Sequence, residues 1–441
     1  MVTDMIFPHN STSELNDISG TAKEQEKEKE QGKEIGEGHD SKTHSEVSGA
    51  NDGNDQLWLK KTFKKYYFRH FANIDLPEKI NQREFGFRYF DEKMYRHISF
   101  KNPGELYAFV LKFSPSDVYC SSSFYRNPSD PMDKKEWYGS ELIFDIDGKD
   151  LHLECALKHN YAKCHACSFI ISGISDKCNN CGGSRLSVID IPCKSCVFLL
   201  KEEVKKLIKF LTGDFGIGSK AISVYFSGNN GFHLHVTDRD YYGLLSNERS
   251  EISSYLLGKG FKLETLGIKK NSEKQYVPIS KNKQLLDAGW RYRVLKKLKI
   301  GFSSGKNADN NFIKQIEKLE NSWDRDFQQI VSKSVEELSV KIDPMVTMDI
   351  HRIFRLNGSL NSKSGLAKIL CSNLDSFDPF KDACFFDKSE VSINSMVDIS
   401  LAIKGGRYDV TNGLNHVPEF VAVYLVSKGL ANIDSKEIQN G

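Results

Sequence analysis

What this chain lacks narrows its class first. No uninterrupted apolar stretch among its 441 residues approaches the roughly 18 residues of a membrane span. No charged segment followed by an apolar one opens it, as a secretory signal would. The expectation is a soluble intracellular protein without a membrane partner. An excess of one charge is missing too: 61 Lys and Arg face 59 Asp and Glu, a net +2. No global basic field advertises nucleic acid, which leaves only a local basic groove. Residues 1–55 are poor in anything to bury, with KEQEKEKEQGKE among Gly, Ser, Asp and Asn. They read as a disordered, solvating tail. Cysteine is not scarce. Ten are present, and seven fall between Cys155 and Cys196. Grouped as CxxC pairs, they argue for metal ligands in a reducing compartment, not for a disulfide scaffold.

The stretch with the sharpest chemistry is Glu141 to Asp147, ELIFDID. Leu142, Ile143, Phe144 and Ile146 make an apolar run of strand length. Asp145 and Asp147, two apart, would share one strand face, roughly 7 Å apart along the chain. Crowded carboxylates repel unless a cation sits between them. Hard oxygen ligands favour Mg²⁺ or Mn²⁺, as in phosphoryl and nucleotidyl transfer. Two solvated aspartates at a strand end are the bland alternative.

Before this strand, Leu57–Phe68 predicts an amphipathic helix with an apolar stripe through Leu59, Phe63, Tyr66 and Tyr67. Arg83–Phe87 and Met94–Phe100 predict strands, with Arg96 and His97 between apolar neighbours. A buried arginine there needs an anion, either a carboxylate or a phosphate. Asp117–Pro128 predicts a loop. After the strand, Cys164-x2-Cys167 and Cys178-x2-Cys181 have the spacing of a four-thiolate zinc ribbon. Cys155, Cys193 and Cys196 need a fourth ligand; His152 and His159 are the candidates, with His159, four residues from Cys155, the better placed. Glu202–Leu211 predicts a helix, and Ala221–Val236 a hairpin with Phe232, Leu234 and Val236 on one face and His233 and His235 on the other. Ser227, Gly228 and Gly231 could offer backbone N–H groups to a phosphate; a plain Asn-Gly hairpin turn is the simpler reading of these residues alone. Residues 240–340 read as mostly helical. In Asp343–Leu366, Pro344 keeps Asp343 extended. Thr347 is expected to cap a helix carrying Ile350, Ile353 and Phe354 inward and Asp349, Arg352 and Arg355 on a polar face, ended by Gly358. The C-terminal VPEFVAVYLVSKGL reads as an amphipathic packing helix.

Taken in order, these motifs resemble the catalytic small subunit of archaeal and eukaryotic DNA primases. The carriers are REFGF with YRHISF, YCSSSFYRNP before GSELIFDID, SGNNGFHLHV, and DPMVTMDIHRIFRLNGSLNSKSGL; the resemblance runs from Leu57 to Ile433. It implies an α+β primase-polymerase core, mixed α/β with a mainly antiparallel sheet, a flanking zinc knuckle and helical additions. The expected partition is a tail at 1–55, a catalytic core at 56–154 and 197–239, a zinc-binding insertion at 155–196, a mostly helical insertion at 240–340, and the rest of the core at 341–441. The resemblance further implies that Asp145, Asp147 and Asp343 hold catalytic Mg²⁺ or Mn²⁺, while Asp349 is not a ligand. Ser227, Gly228, His233 and Lys363 would contact the nucleotide's phosphates, Arg96 and Arg355 would line the site, and Glu84 would lie near the metals. Cys155, His159, Cys193 and Cys196 would hold a structural Zn²⁺; the Cys164, Cys167, Cys178 and Cys181 knuckles, a second site by their spacing, depart from the family as an insertion inside that one. Two departures concern charge. Asn229 and Asn230 stand where arginine is common, and Asn361 where a nucleotide-contacting histidine is usual.

The implied function is DNA-templated synthesis of short RNA primers from NTPs on single-stranded DNA, beside a large regulatory subunit. The setting would be the cytoplasm of an archaeon, or the nucleus in a eukaryote. A gap-filling primase-polymerase that prefers deoxynucleotides and a non-catalytic, zinc-bearing nucleic-acid-binding subunit are the competing readings. The three intact aspartates argue against the last.

Overall fold

The computed structural model describes residues 53–71, 74–278, 289–301, 308–323 and 325–439. The expected disorder of residues 1–52 lies outside the described residues. Residues 53–55, assigned from sequence to that tail, instead open the helix Gly53–His70. Asp55 is buried in it, and its Oδ1 accepts the Ile433 N–H at 2.7 Å. Leu59, Phe63, Tyr66 and Tyr67 are buried as the helical spacing requires, and Leu57 and Phe68 face water.

Two four-stranded antiparallel sheets form the core, which agrees with the expected α+β class. One has the order Ile353–Arg355, Asp117–Ser121, Phe85–Arg88, Met94–Ile98. The other runs Ile369–Leu370, Ile222–Phe226, Gly231–Val236, Leu142–Asp147. Register in the second sheet decides where the acids go. Leu142, Phe144 and Ile146 lie opposite Val236, Leu234 and Phe232, and all six are buried. Between them, Ile143, Asp145 and Asp147 lie opposite His235, His233 and Gly231. Side chains alternate along a strand, so one face is apolar throughout and the other carries the acids and histidines.

The helix Lys194–Gly213 covers the apolar face. Its Leu200, Val204, Leu207, Phe210 and Leu211 are buried at helical spacing. It extends the predicted Glu202–Leu211 segment at both ends, and its first turn begins in the Cys193-x2-Cys196 knuckle. The segment from Asp343 to Arg355 crosses the polar face. Val346 and Phe354 bury Ile143, the one apolar residue that the acid strand turns to this face.

Three sequence expectations need correction. Asp117–Pro128 is not a loop: Asp117–Ser121 and Ser123–Tyr125 are strands, buried along most of their length. The helix expected to begin at Thr347 is only Pro344–Met348, capped by Asp343, and Thr347 is buried inside it. Asp349 ends it by accepting the His351 N–H at 2.9 Å, a local bond that competes with helix continuation. Ile353, Phe354 and Arg355 then pair as a strand with Ser121, Cys120 and Tyr119, so Asp349, Arg352 and Arg355 share no helix face. Finally, the helix Glu419–Ser427 is buried all round, not amphipathic, because Phe420–Val426 contains no charged side chain. The described part of 240–340 is mainly helical, with one unforeseen hairpin, Ile268–Lys270 with Tyr276–Pro278. No described helix is long and apolar enough to cross a membrane.

Leu207 is fully buried between the long helix and the acid-bearing sheet. Leu207→Ala should therefore leave a cavity and cost about 2–5 kcal/mol, read as a lowered denaturation midpoint. A loss within 0.5 kcal/mol, as at a surface position, would contradict this packing.

Candidate active site

Asp145 and Asp147 project from the polar face of the acid strand. Asp343 is brought beside them by its own backbone, whose N–H donates to the Asp145 carbonyl at 3.1 Å. Its Oδ1 accepts the Met345 N–H at 2.9 Å as the cap of a helix with proline in its first turn. Burial, then the charge of Asp147, pushes the Asp145 carboxyl up to about 7, with Asp343 adding to the rise and Arg352 opposing it. Burial likewise raises Asp147 to about 6, against the pull of Lys149. These acids are short of positive charge, the condition a divalent cation relieves.

Opposite the acids, His233 Nε2 lies 3.6 Å from Asp145 Oδ1, and burial drives its pKa well below the usual imidazole value. His233 is therefore neutral. Its buried Nδ1 has no hydrogen-bond partner in the protein. The Ser227–Gly231 turn is closed by the Ser227 N–H to the Gly231 carbonyl at 2.9 Å. Gly228 has φ +89°, and a Cβ there would meet Asn361 Cβ and the Leu366 carbonyl at 3.1 Å. Glycine is needed at this position for both reasons. The turn rests on the Asn361–Ser364 loop, whose Ser364 hydroxyl donates to the Gly228 carbonyl. Asn361 is buried and spends its Oδ1 on the Lys363 N–H. Burial lowers the Lys363 pKa.

Arg355 and Asp117 anchor that loop. The guanidinium meets Asp117 Oδ1 at 2.5 Å and the Leu360 carbonyl at 2.6 Å, and the same Oδ1 accepts the Ser362 N–H at 3.0 Å. Glu84 is fully buried with Lys135 at 3.3 Å and Arg96 at 2.8 Å, and the Arg96 guanidinium also donates to the His351 carbonyl. Burial alone would raise the Glu84 pKa, but Arg96 and Lys135 outweigh it and hold the pKa low. The anion that Arg96 needs is thus a carboxylate of the protein. The structure places Arg96 and Glu84 against the His351 turn, Arg355 under the loop, and Asp145, Asp147, Asp343 and His233 in direct company.

Sequence reading passed over a buried chain beside this group. Arg83 donates to Glu141 Oε1 at 2.5 Å, Glu141 Oε2 meets His235 Nδ1 at 3.0 Å, and His235 Nε2 lies 3.2 Å from Lys368 Nζ. Burial pushes Lys368 down to about 7. Only the alternation of His233 and His235 hinted at it.

Two cysteine clusters lie on the flank. Cys155, His159, Cys193 and Cys196 place all four ligand atoms within 4.8 Å of one another, as do Cys164, Cys167, Cys178 and Cys181. This selects His159 over His152. The Sγ–Sγ distances are 3.4, 3.7 and 4.0 Å in the first set and 3.6 Å for two pairs in the second. A tetrahedral Zn²⁺ with Zn–S near 2.3 Å has edges of about 3.8 Å, whereas a disulfide would need about 2.05 Å. His159 Nε2 faces Cys196 at 3.2 Å, and its Nδ1 lies 3.1 Å from Asn160 Oδ1, an outer contact that fixes the ring. The second set braces the strands Tyr161–Cys164, Ile170–Ser172 and Leu186–Ile189, which have a small core of their own.

A family model for the DNA primase small subunit matches residues 184–370. The chain is 40% identical over 379 residues to the DNA primase small subunit PriS of Cenarchaeum symbiosum, covering 86% of this chain and 98% of that protein. The PriS of Nitrosopumilus maritimus is 40% identical over 381 residues, covering 86% and 99%. That of Archaeoglobus fulgidus is 31% identical over 385 residues, covering 86% and 99%.

Purified protein should carry two equivalents of zinc. Cys167→Ser with Cys178→Ser should remove one, and Cys155→Ser with Cys193→Ser the other, by elemental analysis; one equivalent in the intact chain would disprove the second site. The raised aspartates give a pH signature. Their folded pKa values lie above the unfolded 3.8, so the stability they confer is present below pH 4 and is lost as pH rises through 6 to 7. Without added Mg²⁺ or Mn²⁺, Asp145→Asn should gain on wild type across that window, by about 1–3 kcal/mol at pH 8. Melting curves without chelator, which would strip the thiolate sites, test this. A variant less stable than wild type at pH 8 would contradict it.

Proposed function

The chain belongs to the DNA primase small subunit family, and on that premise we propose that it is the catalytic subunit of a DNA primase. It is a nucleotidyltransferase that makes short RNA primers on single-stranded DNA from NTPs. The observation that carries this reading is the backbone clamp that fixes Asp343 beside Asp145 and Asp147 on the polar face of the sheet. Mg²⁺ or Mn²⁺ held by these three carboxylates would lower the pKa of the primer 3′-hydroxyl and stabilise charge on the α-phosphate and departing pyrophosphate.

The remaining residues position the nucleotide. Ser227 and Gly228 offer the hairpin turn to phosphate oxygens, and the Asn361–Lys363 loop closes over it. His233 Nε2 lies 3.6 Å from Asp145, and its unpartnered Nδ1 is left for the substrate. The Asp117–Arg355 pair fixes the loop that carries Lys363, so Arg355 acts through that loop. Arg96 and Glu84 brace the His351 turn behind the acids. Zn²⁺ in the two thiolate clusters is structural. A large regulatory subunit is the expected partner, and the archaeal relatives point to the cytoplasm.

The test is synthesis on unprimed single-stranded DNA, with NTPs or dNTPs and Mg²⁺ or Mn²⁺, alone and with the large subunit. Asp145→Ala and Asp343→Ala should lower incorporation roughly 10³-fold or more, several kcal/mol of transition-state stabilisation, while the protein stays folded and zinc-loaded. Undiminished synthesis by either variant would sink the assignment. Extension limited to dNTPs on a supplied primer would favour the gap-filling reading.

A further inference from the structure

Composition leaves room for nucleic acid only in a local basic groove, and the structure holds a cavity of that kind. It measures about 840 Å³ and lies between residues 257–263, the strand Ile268–Lys270 and the helix Phe327–Leu338. Gln328, Val331, Ser332, Val335 and Glu336 recur at helical spacing, so one face of that helix forms a wall. The opposite wall comes close because residue 258 is glycine. Its φ is +66°, and a Cβ there would meet Val335 Cγ1 at 2.5 Å.

Five lysines line the cavity. Lys259, Lys262, Lys269 and Lys270 are exposed, and Lys341, half-buried, belongs to the segment that follows the helix. Lys270 is paired with Asp326. The other four ammonium groups have no hydrogen bond or ion pair among the described residues. They face only two carboxylates, Glu264 and Glu336, within the cavity. Phe261 adds an aromatic ring, half-buried and 6.0 Å from the ring of Trp290.

Residues 339–343 connect this cavity to the acids. Ser339 and Lys341 line it, and Val340 between them donates its N–H to the Leu256 carbonyl at 3.0 Å. Two residues on from Lys341, the Asp343 N–H meets the Asp145 carbonyl. Two residues of chain span at most about 7 Å, so the cavity opens beside the acid strand. Ammonium groups along the phosphates and an aromatic ring for a base are how single strands are held. Lysines take phosphates in any orientation, which suits a strand whose sequence varies. Charges drawn from three separate stretches of chain suit a phosphodiester backbone better than one compact phosphate group.

We propose that this cavity is a groove for the backbone of single-stranded DNA, and that it holds the template beside Asp343 without reading its sequence. The choice of DNA rests on the primase reading of the acids, but the groove can be tested by binding alone.

The experiment titrates the full zinc-loaded chain against a fluorescent single-stranded oligothymidylate, without nucleotide, over a series of salt concentrations. Lys262→Gln with Lys269→Gln should weaken binding roughly tenfold at low salt. It should also flatten the slope of log affinity against log salt by about 1.4, two phosphate contacts at about 0.7 each for a single strand. Lys262→Arg with Lys269→Arg should keep both affinity and slope. Lys60→Gln with Lys64→Gln removes the same charge from the exposed face of the helix Gly53–His70 and should stay within twofold. Equal loss in the two Gln pairs would reduce the effect to net charge and overturn the groove, as would an unchanged slope in the Lys262 and Lys269 pair. Binding of ATP with Mg²⁺ should stay within twofold in that pair; a loss as large as for the oligonucleotide would make the cavity a nucleotide pocket and overturn the groove. If the pair does not fold, Ser332→Glu serves in its place. A carboxylate there, among the lysines, should weaken the oligonucleotide, and unchanged affinity would again overturn the groove. A chain that holds the oligonucleotide through these lysines yet makes no primer, even with the large subunit, would sink the primase reading and leave the groove standing.

Discussion

The whole site hangs on one register. Pairing Asp145 with His233 across two antiparallel strands puts every apolar residue of the acid strand except Ile143 on the helix-covered face, and both acids on the other. A slip of one residue would bury the carboxylates against Leu207 and expose Phe144 and Ile146. The hydrophobic core therefore selects the catalytic geometry. The energy that holds it comes from the Lys194–Gly213 helix and not from any contact of the acids themselves, which repel one another.

Around that register the protein spends charge unevenly. Arg83, Glu141, His235 and Lys368 form a satisfied buried chain, and Glu84 is neutralised by Arg96 and Lys135. Burial pushes Asp145 and Asp147 up, and Arg352 and Lys149 offset that only in part. The imbalance of charge is local to the acid strand, so the chain's small net charge conceals it.

Much of this was legible in the sequence where the signal is local. Alternation in LIFDID and in FHLHV predicts the two strands and their faces, and CxxC spacing predicts both metal clusters, with geometry deciding for His159. The failures have a common cause. Thr347 and the residues after it have helical spacing, but Asp349 captures the His351 N–H, and the vacant edge beside Asp117–Ser121 takes Ile353–Arg355 as a strand. The apolar run Phe420–Val426, without a charged side chain, itself signals a helix covered on all sides, which the amphipathic reading passed over. In sequence the anion beside Arg96 stays open between a carboxylate and a phosphate, and Arg355 reads as lining the site; the structure gives each a carboxylate, Glu84 and Asp117.

The bond from Ile433 N–H to Asp55 ties the last strand of the described chain to its first helix. The helix Ser435–Gln439 packs near that same helix. The two described ends thus share one patch of the molecule. Joining them by a short linker and reopening the chain at an exposed turn, such as the one between Lys270 and Tyr276, would leave both four-stranded sheets uncut. In the language of chain topology, the described fold is closed but for one stitch.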